Sequence, residues 1–485
     1  MKWLETLATR YQDNIALEFE QENLTYQALS TRVKRLADWL TCQSVTSVAL
    51  IAPNSIDWII VDLACQAAGV ICTPIPMFFT QIQISSVIDS VKAEIVFADT
   101  QPADSIELDC EDISLNVYQR QQVAPLSAPD GTQKITYTSG STGAPKGVCL
   151  STDNQMAVAS SLVTTIGIDK PKHLSLLPLP VLLENVAGVY SPLMAGGKIV
   201  LTRDESRGFR GSMLAEPQAL LQCISETQPN TMILVPELLQ VLVVGAARGW
   251  IPPSSLRFIA VGGSKVSPTL MEKARALGLP VYQGYGLSEC ASVVSLSTEA
   301  DDVDSVGRVL PHLTVDIINQ ELVVRGNTFL GYLEQPDSWY QDVVYTGDIA
   351  SFKGPSLCID GRLKNTIINS FGRNISPEWV EAELLATGLF LQVVVIGDAR
   401  PFCSAIVVPA RNDISEAHAR QIINMVNHCL PDYARVQNPI VLSTPMTPEQ
   451  GLYTNNMRPR RAQIEQHFQQ QIERVYNTAQ LKESA

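Results

Sequence analysis

The chain's apolar positions first settle into a helical rhythm between residues 24 and 41, where Leu29, Val33, Leu36 and Leu40 form one stripe and Thr25 stands as an N-cap. Residues 47–52 then read as a buried strand, ended by Pro53-Asn54. A mostly apolar helix over about 56–68, a glycine at 69 and a second strand at 70–74 complete a strand–helix–strand unit of a parallel sheet. The rhythm continues through 94–98. A helix over 153–167, strands at 174–178 and 198–202 around a helix beginning near Leu183, and strands at 232–235, 258–261 and 281–282 predict a second α/β layer. From about 293 to 360 the helical period stops. Short strands such as 314–318 and 321–325, set off by Gly and Pro turns, predict a small β-barrel or twisted sheet. Residues 361–364 read as a hinge, and 365–485 as a small α+β unit with strands at 365–369, 392–397 and 404–409 and a polar C-terminal helix. The expected fold class is α/β: an N-terminal domain over 1–361, with two α/β subdomains and the β-barrel at about 293–360, then a smaller α+β domain over 362–485.

Composition narrows the setting. A chain of 485 residues is too long for one core. Hydrophobic content of 46% and charged content of 17% describe a soluble globular protein. A net charge of −14 argues against nucleic acid as a partner, though a local basic pocket for an anionic substrate fits within it. The first residues lack the apolar centre of a signal peptide, and no apolar run approaches the roughly 18 residues of a membrane span. Ten cysteines occur without a CxxC pair, and Cys65, Cys72 and Cys149 lie in apolar surroundings, as buried free thiols do. A reducing, cytoplasmic location is expected. Five scattered histidines show no metal-ligand spacing.

The chemistry gathers on one stretch, Ile135-Thr-Tyr-Thr-Ser-Gly-Ser-Thr-Gly-Ala-Pro-Lys-Gly-Val148. Ile135, Thr136 and Tyr137 end a strand; Thr138, Ser139, Gly140, Ser141, Thr142 and Gly143 then present six hydroxyl or glycine residues in a row. Such a run has almost no surface to bury. Its glycines let backbone N–H groups converge on an anion, its hydroxyls add donors, and Lys146 adds charge. A flexible linker would need neither Pro145 nor Lys146, and would not run straight into Val148-Cys149-Leu150. The spacing is not that of a Walker loop. Two further stretches add to it. Gln283-Gly-Tyr-Gly-Leu-Ser-Glu289 sets a ring between glycines, able to stack on a purine, beside a carboxylate able to hold Mg²⁺. Tyr345-Thr-Gly-Asp348 places an acceptor suited to a ribose diol after a turn. Standing alone, either is equally an ordinary turn.

Together these stretches resemble the adenylate-forming superfamily of acyl-CoA synthetases, fatty-acyl-AMP ligases, luciferases and peptide-synthetase adenylation domains, over nearly the whole chain. The resemblance implies that the loop residues Thr138 to Gly143, Lys146, Gly284, Tyr285 and Gly286 hold ATP. Tyr285 would meet adenine, Ser288 (usually threonine) the α-phosphate, Glu289 the Mg²⁺ ion, and Asp348 and Arg362 the ribose. Lys364 would mark the hinge about which a mobile C-terminal domain turns between adenylation and thioester formation, and Phe371-Gly372 would line the thiol tunnel. Val181 and the Gly262-Gly263-Ser264 turn would bound the acyl pocket. Lys146, Glu289 and Arg458 are the expected catalytic residues.

Two positions depart from the family pattern. Val181 follows Leu177-Pro-Leu-Pro where relatives often carry a histidine or an aromatic ring. Arg458 stands where the usual lysine is expected, with Arg460 and Arg461 nearby as an alternative reading, a cationic helix face. Residues 394–409 resemble the fatty-acyl branch, and no carboxylate is evident among the lining segments to meet an α-amino group. The implied function is ATP- and Mg²⁺-dependent activation of a carboxylic acid, a medium- or long-chain fatty acid, to acyl-AMP and its transfer to coenzyme A. Loading of an acyl or peptidyl carrier protein's phosphopantetheine is one alternative. A non-catalytic adenylate-binding paralogue, prompted by Arg458, is another.

Overall fold

The computed structural model describes residues 2–120, 125–138, 146–211, 213–454 and 457–483. Helix Tyr26–Cys42 buries Leu29, Val33, Leu36 and Leu40, and the Thr25 hydroxyl accepts the Ala28 N–H at 3.2 Å as its cap. Strand Ser47–Ile51, helix Ile56–Ala68 and strand Ile71–Pro74 follow, the strands parallel with Ser47 opposite Ile71. Gly69 ends the helix at φ 70°, a conformation that costs glycine nothing.

Two large sheets carry the N-terminal domain. One has eight strands, running from Gly331–Tyr332 through Lys146–Leu150, Lys134–Thr138, Ile71–Pro74 and Ser47–Ile51 to Ile95–Ala98, Val117–Arg120 and Ser105–Leu108. The other has nine, with Val281–Tyr285, Phe258–Val261, Thr231–Leu234, Lys172–Leu174 and Lys198–Leu201 in parallel succession. The pattern from residue 24 onward does not reveal that Ile15–Phe19 joins this second sheet, parallel to Lys198–Leu201. The chain's beginning is thereby woven into a layer built mostly from residues 172–285. One apolar cluster, running from Leu4 to Leu357, is shared by both sheets.

The helix expected near Leu183 is a π-helix, Glu184–Tyr190. Such turns are often found at functional sites. Here it anchors two buried polar groups. Asp62 pairs with Lys134 at 2.7 Å and accepts hydrogen bonds from Tyr190 Oη (2.6 Å) and Asn185 Nδ2 (3.0 Å). Glu184 lies 3.3 Å from His173 Nε2, whose other ring nitrogen meets Thr231 Oγ1 at 3.0 Å. A Cβ at 188 would stand 2.7 Å from Glu184 Oε1 and 2.9 Å from His173 Nε2, so any side chain there would push this buried pair aside.

Beyond the sheets lies an antiparallel half-barrel, Leu313–Ile318, Glu321–Gly326, Val343–Lys353 and Ser356–Arg362. The smaller C-terminal domain packs strands Phe390–Ile396, Ser404–Pro409 and Ile440–Val441 against helices Pro377–Leu385 and Glu416–Asn427. The strand expected over 365–369 is only Ile367–Ile368, paired with Asn374–Ile375. Ser376 occupies the N-cap position of Pro377–Leu385 without a side-chain capping bond; its hydroxyl donates to Glu378 Oε2 at 3.2 Å instead. Among the described residues, no helix is long and apolar enough to cross a membrane.

Candidate active site

Strands Thr231–Leu234, Phe258–Val261 and Val281–Tyr285 are parallel, so their carboxyl ends open together. Ligands of open α/β sheets bind at such ends. From them emerge Val235, the Gly262-Gly263-Ser264 turn and Tyr285-Gly286.

On one side of this cleft the polar groups hold one another. Tyr285 Oη donates to Asp348 Oδ2 at 2.6 Å, and Arg362 Nε lies 2.8 Å from Asp348 Oδ1. The half-barrel register puts Asp348 directly opposite Arg362. Asp348 is only 3% exposed. Burial pushes its carboxyl above the usual aspartate range, while the Arg362 charge and the bond from Tyr285 pull it back. Burial and the Asp348 charge hold the Tyr285 phenol well above its ordinary value.

A second group lies where the eight-stranded sheet ends. Glu289, in the short helical turn Ser288–Cys290, accepts a hydrogen bond from Tyr332 Oη at 2.8 Å, and Lys146 Nζ sits 4.8 Å over the centre of the Tyr332 ring. The fold joins Lys146 to Glu289 through Tyr332, which the motifs did not single out. Strand Gly331–Tyr332 pairs with Lys146–Leu150, Tyr332 opposite Val148, and this long-range pairing has no local signal in the sequence. Burial and the Glu289 charge raise the Tyr332 phenol far above its ordinary value.

The stretch expected to be the phosphate loop, Ser139, Gly140, Ser141, Thr142 and Gly143, lies outside the described residues. Its ends are placed: Thr138 closes strand Lys134–Thr138 directly opposite Lys146, so the loop links two antiparallel strands. Ser288 is half-buried beside Glu289. Gly286 answers a packing demand, since a Cβ there would fall 1.6 Å from the Ser292 carbonyl oxygen; a Cβ on Gly284 would meet Leu296 Cδ1 at an ordinary 3.4 Å.

The other side of the cleft is walled by backbone and apolar groups. A Cβ on Gly262 would meet the Gly284 carbonyl at 3.2 Å and Leu183 Cδ2 at 4.0 Å; one on Gly263, at φ 87°, would meet Val235 Cγ1 at 3.6 Å. Val181 is half-buried at the turn before Leu183, and Ser264 is exposed.

Arg458 reaches this point from the C-terminal domain, donating from Nη2 to the Gly263 carbonyl at 2.8 Å. Two limbs of chain hold it there. Tyr453 bridges Pro459, Thr454 N–H donates to the Arg458 carbonyl at 2.8 Å, and Leu452 and Tyr453 are buried in the domain's apolar cluster. Arg458 keeps an exposed surface; the protein atoms crowding it and the Arg362 charge lower its pKa, against the opposing pull of Asp348 and Glu237. Glu237 is a carboxylate at this side of the cleft that the reading of the lining segments missed; it follows an ordinary Val-Pro at a helix start. Arg461 is not part of a cationic surface face. It is tied to Glu381 at 2.7 Å and Glu378 at 3.4 Å inside its own domain. Lys364 is exposed in the turn just after Arg362, and Phe371 is exposed.

Among the described residues, no three His, Cys, Asp or Glu side chains gather as a metal site. Glu289, whose Oε1 is oriented by Tyr332, nevertheless suits Mg²⁺, which takes one or two carboxylates and completes its shell with substrate phosphates and water.

The profile of the AMP-binding enzyme family matches residues 4–333, and that of the AMP-binding enzyme C-terminal domain matches 364–480. The chain belongs to the AMP-binding enzyme family. Among curated relatives, the 2-succinylbenzoate–CoA ligase of Staphylococcus epidermidis is 28% identical over 407 residues, covering 78% of this chain and 80% of its own length. That of Staphylococcus aureus is 27% identical over 426 residues, covering 78% and 83%. Among solved structures, o-succinylbenzoate CoA synthetase from Bacillus subtilis, in complex with its acyl-adenylate intermediate, superposes with a TM-score of 0.77 at 22% identity over 96% of this chain and 97% of that one. The same enzyme with ATP and magnesium ion gives 0.75 at 21% identity over 96% and 99%. An anthranilate CoA ligase gives 0.78 at 15% identity over 96% of each. Family and relatives bear out the expected fold and the expected AMP-forming acid–thiol ligase. They lend no support to the fatty-acyl branch.

Proposed function

We propose that this chain activates a carboxylic acid with ATP as an acyl-adenylate and transfers the acyl group to coenzyme A, with an aromatic acid of the 2-succinylbenzoate type as its substrate. The observation that carries the adenylation step is Arg458 at the Gly263 carbonyl, a cation from one domain delivered to the nucleotide and acyl walls of the other. That placement favours a working enzyme over a non-catalytic paralogue. The relatives support the aromatic acid in place of a fatty chain.

In this reading a carboxylate oxygen of the acid attacks the α-phosphorus of ATP. The bond from that phosphorus to the bridging oxygen breaks, and pyrophosphate leaves with the electron pair. Tyr285 stacks on adenine, Asp348 and Arg362 take the ribose hydroxyls, and Ser288 meets the α-phosphate. Lys146 and Arg458 offset the charge that builds on the reacting oxygens, the kind of preorganised stabilisation that dominates such reactions. Glu289 would hold Mg²⁺, which when bound neutralises phosphate charge. The thiol sulfur then attacks the acyl carbon, AMP departs, and the thiol proton passes to solvent.

A panel of 2-succinylbenzoate, benzoate, octanoate and laurate, incubated with ATP and Mg²⁺ with and without coenzyme A and followed by mass spectrometry, tests the proposal. An acyl-CoA product from 2-succinylbenzoate is expected. A preference for laurate would overturn the substrate assignment, and absence of AMP from every acid would overturn the ligase reading.

A further inference from the structure

The segment leading from strand Lys172–Leu174 to the π-helix Glu184–Tyr190 leaves the nine-stranded sheet after Ser175, whose N–H still donates to the Val200 carbonyl at 3.0 Å. Pro178 and Pro180 then remove two backbone donors, so Leu177-Pro-Leu-Pro180 cannot continue a ladder. The segment is nevertheless covered: Ser175, Leu176, Leu177 and Leu179 are all buried. Backbone groups buried outside a ladder need partners from elsewhere. Two buried side chains supply them. Arg207, just after strand Lys198–Leu201, donates from Nη1 to the Ser175 and Leu176 carbonyls at 3.2 and 2.8 Å. Asn54, just beyond strand Ser47–Ile51 of the eight-stranded sheet, donates from Nδ2 to the Leu177 carbonyl at 2.8 Å and accepts the Leu179 N–H on Oδ1 at 2.8 Å. The amide thus spans the two sheets and pairs with Leu177 and Leu179 as the edge of a neighbouring strand would. Directly beyond, the Val181 N–H closes a turn on the Pro178 carbonyl at 2.9 Å, and Leu183 reaches the Gly262 turn, its Cδ2 4.0 Å from where a Cβ on Gly262 would stand.

We propose that Asn54 is a specificity-determining positioning residue for the acid: it fixes the backbone of Leu177 and Leu179, and through it Val181 and Leu183, so that one sheet sets the acyl wall carried by the other. The inference rests on the acid-activating reading above, with Val181 as a wall of the acyl pocket. Asn54 acts through that wall and need not touch the acid. Both ends of its amide are used, since the Leu177 carbonyl needs a donor and the Leu179 N–H an acceptor; a carboxylate offers only the second. The grip of Tyr285 and Arg362 on Asp348 lies on other elements and does not involve it. A small displacement of the wall therefore bears on an acid that fills the pocket, and leaves ATP where it is.

The test uses the full-length wild type, Asn54→Ala, Asn54→Asp and Val181→Phe, all assayed below the melting temperature of the least stable. Pyrophosphate release is compared for acetate and for 2-succinylbenzoate, or the bulky acid that the panel returns, and ATP affinity is measured by titration. Loss of two buried hydrogen bonds from the wall is expected to raise KM for the bulky acid about tenfold in Asn54→Ala, with KM for acetate and ATP affinity within about twofold of wild type. Asn54→Asp, which keeps the acceptor for Leu179 and loses the donor to Leu177, should fall between wild type and Asn54→Ala. Hydrogen exchange reads the same contact without turnover: protection of the Leu179 amide should drop in Asn54→Ala and persist in Asn54→Asp, while that of Ile259 stays unchanged. Parallel losses for both acids, or a matching loss of ATP affinity, would show that Asn54 only supports the fold and would overturn the proposal, as would unchanged protection at Leu179. A wild-type acid ranking in Asn54→Ala beside an altered one in Val181→Phe overturns it as well. An unaltered ranking in Val181→Phe instead removes the pocket reading on which the inference rests.

Discussion

On the side of the cleft that the proposed function gives to the nucleotide, the side chains already grip one another: Tyr285 and Arg362 on Asp348, Tyr332 on Glu289, Lys146 over Tyr332. The side proposed for the acyl group is different. Its walls are the Gly262 and Gly263 backbone with Leu183 and Val235, and its cation, Arg458, comes from the other domain. The contrast follows from the work each side does. Charge developing on phosphate needs donors fixed in advance, because their reorganisation would otherwise add to the barrier. An acyl group needs mainly shape, and the cation beside these walls, Arg458, comes from the second domain.

The largest effect that could break this comparison is on the nucleotide side. Lys146→Ala and Glu289→Ala should each lower pyrophosphate release by ~10²-fold or more while leaving the ranking of acids unchanged. Steady-state kinetics across the acid panel measure both. A reordered ranking would mean that the two sides are not separable. Asp348→Ala should act next most strongly, because Tyr285 and Arg362 then lose their shared acceptor. Hydrogen bonds to a charged group contribute roughly 1.5–3 kcal/mol, so KM for ATP should rise at least about tenfold. Isothermal titration with ATP gives the same quantity without turnover, and unchanged affinity would remove Asp348 from the nucleotide site.

This division also governs what could be read from the chain. The nucleotide side was legible because its groups sit in short contiguous stretches whose chemistry has few other uses: Thr138 to Gly143 cannot pack a core, and Tyr285 and Glu289 lie four residues apart. Asp348 and Arg362 needed only one strand pairing to meet. Tyr332 and Glu237 were not legible. Each is an ordinary residue locally, and Tyr332 is brought to Glu289 and Lys146 only by sheet order. The fold shows the same split. Helix Tyr26–Cys42 could be read from its stripe, whereas the crossing of Ile15–Phe19 to the second sheet, like the π-helix at Glu184–Tyr190, depends on tertiary packing.

Val181 sharpens the comparison from the acyl side. Val181→Phe places a ring where relatives often carry one, and overpacking a filled space costs typically 1–3 kcal/mol. KM for 2-succinylbenzoate should rise about tenfold, KM for acetate should hardly move, and ATP affinity should stay at the wild-type value. A parallel loss for both acids would mean that Val181 does not bound the pocket.

The smallest expected effect is also the most pointed, since it separates the two roles of Tyr332. Its hydroxyl donates to Glu289 and its ring lies beneath Lys146, so Tyr332→Phe removes the first contact and keeps the second. A hydrogen bond to a carboxylate in a partly exposed site is worth about 1 kcal/mol net, which predicts a loss of about fivefold in pyrophosphate release. The loss should appear in the Mg²⁺ concentration needed for half-maximal rate, because the Glu289 carboxylate is no longer oriented. It should not vary between pH 6 and 9: burial and Glu289 hold the Tyr332 phenol far above this range, so the donor stays protonated throughout. Tyr332→Leu removes the ring as well, and a further loss of about threefold is expected from the cation–π contact with Lys146. Should phenylalanine and leucine behave alike, the ring contributes nothing and Lys146 is held by other means. Should phenylalanine leave the Mg²⁺ dependence unchanged, Glu289 does not need Tyr332, and the preorganisation of the nucleotide side is confined to Tyr285, Asp348 and Arg362.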